Sequence, residues 1–153
     1  MSIKGPRGVE LLQGEAITLF ASAARATATA GTNGTAVYVG GERKRYIFVL
    51  AVTAAAAAAG DTLDVYIDWS LDNTTFYNGA HFTQVLGNGG AKAFYTVFDA
   101  TTGTTADVAC SADQAVNTTV PSLFGPYVRG RYVLVDGGAH GQSFTFSLTG
   151  YAL

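Results

Sequence analysis

Charge is what this sequence has least of. Of its 153 residues only 13% are Asp, Glu, Lys or Arg, about half the share of an ordinary soluble domain. Nine basic and eleven acidic residues leave a net charge of −2. That excludes the global basic field on which nucleic-acid binding depends. Cysteine occurs once, as Cys110, which excludes an intrachain disulfide framework. With only two histidines beside it, little is left to build a Cys/His metal site. Long apolar runs are missing too: the longest, around Tyr46–Ala59, falls short of the roughly 20 residues of a membrane span. The opening MSIKGPRGVELLQGEAITLF is broken by charges and glycines, so no targeting signal is expected. The chain reads as one made and folded in a cytoplasm, where a lone reduced thiol is ordinary.

What is present is apolar and small-polar. Hydrophobic residues make up 48% of the chain, too many for a disordered, charge-solvated polymer. At 15.8 kDa about two thirds of the unfolded surface can be buried, so a core needs no metal or disulfide. So few charges leave a free surface prone to self-association. Either Thr, Ser, Asn and Gly supply the polar surface, or other copies or a larger assembly cover it.

The periodicity is that of strands. Thr62–Ser70 (TLDVYIDWS) alternates strictly, with Leu63, Val65, Ile67 and Trp69 on one face and Asp64, Tyr66, Asp68 and Ser70 on the other, the pattern of a half-buried strand. Arg45–Thr53 (RYIFVLAVT) is apolar on both faces, which suggests a strand covered on both sides, at a sheet–sheet core or a subunit interface. Further strands are expected at Glu15–Ala21, within Ala21–Ala30, and at Ala36–Val39, Phe76–Leu86 (with a break at Asn78-Gly79), Lys92–Phe98, Ala106–Ser111, Tyr127–Val135 and Ser143–Leu148. Turns are expected at Gly31–Gly34, around Asn33-Gly34, and at Gly87–Gly90. The alanine run Ala54–Ala59 is too short to hold a helix alone and reads as a loop. Residues 1–14 read as an irregular arm, and 15–153 as one domain. The fold class is all-β: an antiparallel β-sandwich or jelly roll of about eight to ten short strands with an extended N-terminal arm.

No constellation reads as catalytic. Asp61, Asp64, Asp68 and Asp72 form the densest acidic cluster, but they lack Ca²⁺-loop spacing and are expected to be a solvated face with turn caps. There is no GxSxG elbow for a nucleophile, and Cys110 reads as a small core residue. No catalytic, cofactor-binding or metal-binding residues are assigned, and no cofactor is expected. The basic residues Lys4, Arg7, Arg43, Lys44, Arg45, Arg129 and Arg131 are either paired with aspartates across strands or placed to meet an acidic partner surface. Trp69 falls on the core face. Tyr66 and Tyr77 are the residues that would stack on sugar rings in a carbohydrate-binding module.

Two stretches carry a resemblance. LDVYIDWSLDNTTFYNGAHFTQV (Leu63–Val85) and FGPYVRGRYVLVDGGAHGQSFTFSLTGYAL (Phe124–Leu153), about a third of the chain, resemble the strand–turn–strand segments of small jelly-roll structural proteins of tailed phages. Head decoration (cement) proteins are the nearest of these. The resemblance implies a non-enzymatic virion protein on the capsid exterior, made in the host cytoplasm. It would bind the major capsid protein and its own copies, commonly as a homotrimer, and would involve no nucleic acid and no membrane. By position residues 1–14 would grip the shell. A tail, baseplate or head-completion protein, or a carbohydrate-binding module, is the alternative.

Overall fold

The computed structural model describes residues 2–4, 10–12, 16–40, 43–103, 106–110, 113–123, 125–138 and 141–153, with backbone alone at 2–4 and 10–12. No helix occurs among them. The thirteen strands are β1 (Ser2–Lys4), β2 (Glu10–Leu12), β3 (Ala16–Arg25), β4 (Thr29–Asn33), β5 (Val37–Tyr38), β6 (Arg45–Ala54), β7 (Thr62–Ser70), β8 (Tyr77–His81), β9 (Val85–Leu86), β10 (Lys92–Asp99), β11 (Thr118–Thr119), β12 (Tyr127–Val135) and β13 (Phe144–Ala152).

The chain is a β-sandwich of two antiparallel sheets. One runs β10-β6-β13-β3; the other runs β11-β8-β7-β12-β4, with β5 also on β12 and β9 on β7. The long strands pair as a ribbon folded back on itself: β3 with β13, β4 with β12, β6 with β10 and β7 with β8. The period-two alternation decides what lies inside. On β6, Tyr46, Phe48, Leu50 and Val52 are at most 2% exposed. Leu63, Val65, Ile67 and Trp69 of β7 meet them from the facing sheet, all buried. Between the sheets Trp69 packs against Tyr46, Phe48 and Phe98 at ring-centroid distances of 5.3, 5.9 and 5.3 Å. Gly79 makes room for that cluster, since a Cβ there would stand 2.7 Å from Trp69 and 2.9 Å from Phe98.

Several expectations need correction. The expected irregular arm contains a two-stranded antiparallel sheet, β1 with β2. The turn expected around Asn33-Gly34 does not form: Asn33 ends β4 opposite Arg131, Gly34 continues the contact, its N–H donating to the Gly130 carbonyl at 2.8 Å, and residues 26–28 carry the chain from one sheet to the other. The break expected at Asn78-Gly79 is a bulge, because Ile67 faces Ala80 while Asp68 faces Asn78. The true interruption lies between β8 and β9. Within Ala106–Ser111 the described residues, 106–110, form no strand, and Cys110 is half-exposed rather than core. The largest departure concerns β7, whose polar face is buried as well. Its polar groups find their partners on β8, on β12 and just after β8, and the connection from β10 to β12 pairs with those partners in turn.

Candidate functional site

The buried polar face of β7 is built by strand register. Arg129, Asp68 and Asn78 stand in one row across β12, β7 and β8, and Arg131, Tyr66 and His81 in the next. Side chains directly opposite on one face of a sheet are close enough to touch, and here they do. Arg131 lies over the Tyr66 ring at 4.0 Å, and His81 stacks on Tyr66 at 4.1 Å. One Asp68 oxygen accepts from Arg131 Nε at 3.1 Å and from Arg129 Nη2 at 3.3 Å; the other accepts from Asn78 Nδ2 at 3.0 Å. Arg129 also lies over Phe76 at 3.9 Å.

Two residues of the overlying connection complete the cluster. Asp113 takes the outer fork of the Arg131 guanidinium. The Gln114 N–H donates to Asn78 Oδ1 at 2.8 Å, and its carbonyl accepts from His81 Nδ1 at 2.9 Å. His81 Nε2 faces Asp64 Oδ1 at 2.8 Å, while Asp64 Oδ2 accepts from Gln84 at 2.8 Å. A carbonyl oxygen can only accept, so Nδ1 carries a proton, and a second proton on Nε2 lets the imidazolium donate to the Asp64 carboxylate. Burial opposes that charge, but the hydrogen bonds to Asp64 and Gln114 outweigh it, and the His81 pKa is raised. Arg131 is likewise raised: burial works against its charge, and the bonds to Asp113 and Asp68 prevail.

This fixes the sign of a pH effect. The folded-state pKa lies above the unfolded value near 6.5. The stabilisation is therefore complete below about 6.5 and is lost as pH rises through the folded value. The groups facing the ring are Asp64 and Tyr66 on β7 and Gln114 and Asp113 on the connection. His81 is expected to titrate above 6.5 by NMR, with exchange of the Gln114 amide accelerating over the same interval. A midpoint at or below 6.5 would contradict the bridging imidazolium.

Both oxygens of Asp64 and of Asp68 are engaged, as are both ring nitrogens of His81. Among the described residues no group of three or more His, Cys, Asp or Glu side chains is placed to bind a metal ion. Compared with family models, curated proteins and solved structures, the chain matches none.

The sequence candidates scatter over the fold. Arg129 and Arg131 meet on Asp68 as cross-strand pairs. Arg45 forms a separate pair with Asp99 at 2.6 Å; hydrogen bonds from Thr101 and Arg45 lower the Asp99 carboxyl to about 2. Arg43 is half-buried and Lys44 exposed, just before β6. Arg7 lies outside the described residues, and of Lys4 only the backbone is described. Tyr66 is 7% exposed with one ring face against His81 and Arg131 over the ring, so it offers no face to a sugar. Tyr77 is 39% exposed. Sequence reasoning did not single out Asn78, Gln84 or Gln114: Asn78 and Gln114 meet across 36 residues and Gln84 meets Asp64 across 20, pairings that no local pattern marks.

The opposite outer face is of another kind. On the four-stranded sheet Ile47, Val49 and Ala51 point away from the core and are half-exposed. The double apolar character of Arg45–Thr53 is thus half core and half surface. Neighbouring strands add Tyr95, 75% exposed, and Tyr151, 38% exposed.

Proposed function

We propose that this chain is a non-enzymatic structural protein of a phage virion, a capsid decoration protein that binds the outer shell as an oligomer and stabilises it. The observation that carries the reading is the contrast between the two outer faces. The charged face is closed on itself, every candidate acid and base engaged by a neighbour. The other is an open sheet surface of Ile, Val, Ala, Thr and Tyr, suited to adhesion and to no chemistry. The pairing of first strand with last, second with seventh, third with sixth and fourth with fifth among the eight long strands supports a jelly-roll reading of the sandwich. Its mechanism would be adhesive: weak single contacts become effectively tight when an oligomer engages several shell sites together. The resemblance implies three copies and the major capsid protein as partner, with residues 1–14 by position as the gripping arm.

The test is co-sedimentation of the purified chain with shells prepared without it. Saturable binding, at a copy number comparable to the shell subunits, with a raised melting temperature of the shells, is the expected result. Binding only to tail or baseplate particles would replace the reading with a tail component. Retention on a glycan array without shell binding would replace it with a carbohydrate-binding module.

A further inference from the structure

The outer face of the four-stranded sheet is a continuous surface without charge. One row across it reads Tyr95, Val49, Thr149 and Thr18 by register. The next reads Val97, Ile47, Tyr151 and Ala16. Charge enters only one row further along, at Arg45 and Asp99, and these two neutralise each other in an ion pair. On the other sheet a connection of the same chain covers the part of the outer face around β7 and β8. This one has no such cover among the described residues, and Tyr95 stands 75% exposed in it.

We propose that this face docks on the same face of a second copy of the chain, sheet on sheet. Three arguments select that occupant. The first is charge: an uncharged face offers nothing to orient an acidic or basic partner, whereas two identical uncharged faces carry no mismatch and suit a two-fold contact. The second is shape. Two copies of one sheet share the same twist, and equally twisted sheets pack face to face at about 10 Å with strands some 30° apart, as in a sandwich interior. The third is area. Strands about 4.8 Å apart rising about 3.3 Å per residue make four strands of some eight residues a face of roughly 500 Å². Two such faces together remove on the order of 1,000 Å² from water, at the lower bound of a specific interface. The contact is therefore reversible in free protein. Tyr95 and Tyr151 are its anchors, tyrosine being enriched where interfaces are strongest.

The inference takes from the virion reading only that copies associate, and it is tested without shells. Sedimentation velocity over a range of concentrations is expected to give a monomer–dimer equilibrium for the unaltered chain, little affected by added salt. Tyr95→Glu, at a position too exposed to matter for folding, is expected to weaken the association at least about tenfold. Val49→Lys, at the centre of the same row, is expected to do likewise, with circular dichroism establishing that each variant is folded. An unaltered chain that stays monomeric at every concentration overturns the proposal. So does self-association, in two copies or three, that survives Tyr95→Glu. Loss of shell binding with the dimer intact would overturn the virion reading and leave this one standing.

Discussion

Asp68→Ala is expected to destabilise the domain by about 3 kcal/mol, the figure for opening a buried ion pair from one side. In a chain of this length that lowers the thermal midpoint by roughly 6–12 °C. The Asp68 side chain is 4% exposed, while those of Arg129 and Arg131 are 21% and 16% exposed. Residual solvent at the arginines sets the loss at the lower end of the range. Removing the carboxylate takes away the ion-pair partner of Arg129, leaves Arg131 with Asp113 alone, and frees Asn78 from one of its acceptors. The cause is then separable by a second variant. Replacing all three charges at once, Asp68→Leu with Arg129→Met and Arg131→Met, is expected to recover most of the loss, because an apolar substitute carries no desolvation cost. Asp99→Ala, which opens the exposed pair with Arg45, is expected to cost far less. Equal losses for Asp68→Ala and Asp99→Ala in urea denaturation would mean that the buried cluster is no stronger than a surface pair.

The sandwich was legible because alternation is a local property. Thr62–Ser70 and Tyr127–Val135 have the same ends in sequence and structure, since both are bounded by turn residues and the first alternates strictly. Trp69 was assigned to the core from its phase with Leu63, Val65 and Ile67, and it lies there. What alternation cannot reveal is what covers the other face. Asp64, Tyr66 and Asp68 looked solvated because their polarity fits water. They are buried because Asp113 and Gln114, more than forty residues later, satisfy the cluster they belong to. The Asn33-Gly34 turn failed for a related reason: a strong local signal was overridden by pairing of Asn33 with Arg131. The pairing of Arg129 and Arg131 with aspartate was among the readings the sequence allowed. The choice of Asp68 was not, because register sets it and register is a non-local quantity.

Trp69→Ala is the second large effect, expected to cost about 3–5 kcal/mol as the loss of a buried aromatic and the cavity left behind. The indole is 1% exposed and touches three other aromatic rings, all from the facing four-stranded sheet. Neither sheet can close over the gap without moving the other. Trp69→Phe, which keeps a ring in the site, is expected to lose less than half as much. Asp68 and Trp69 are neighbours in sequence but point to opposite faces of β7, so the two losses have different signatures. Trp69 is the only tryptophan, and its fluorescence reports on the space between the sheets alone. In Asp68→Ala the emission is expected to remain that of a buried indole until global unfolding, while the denaturation midpoint falls with its slope unchanged. An early red shift in that variant would mean that the outer cluster and the core open together. A loss below about 1 kcal/mol in Trp69→Ala would show that the aromatic cluster does not join the sheets.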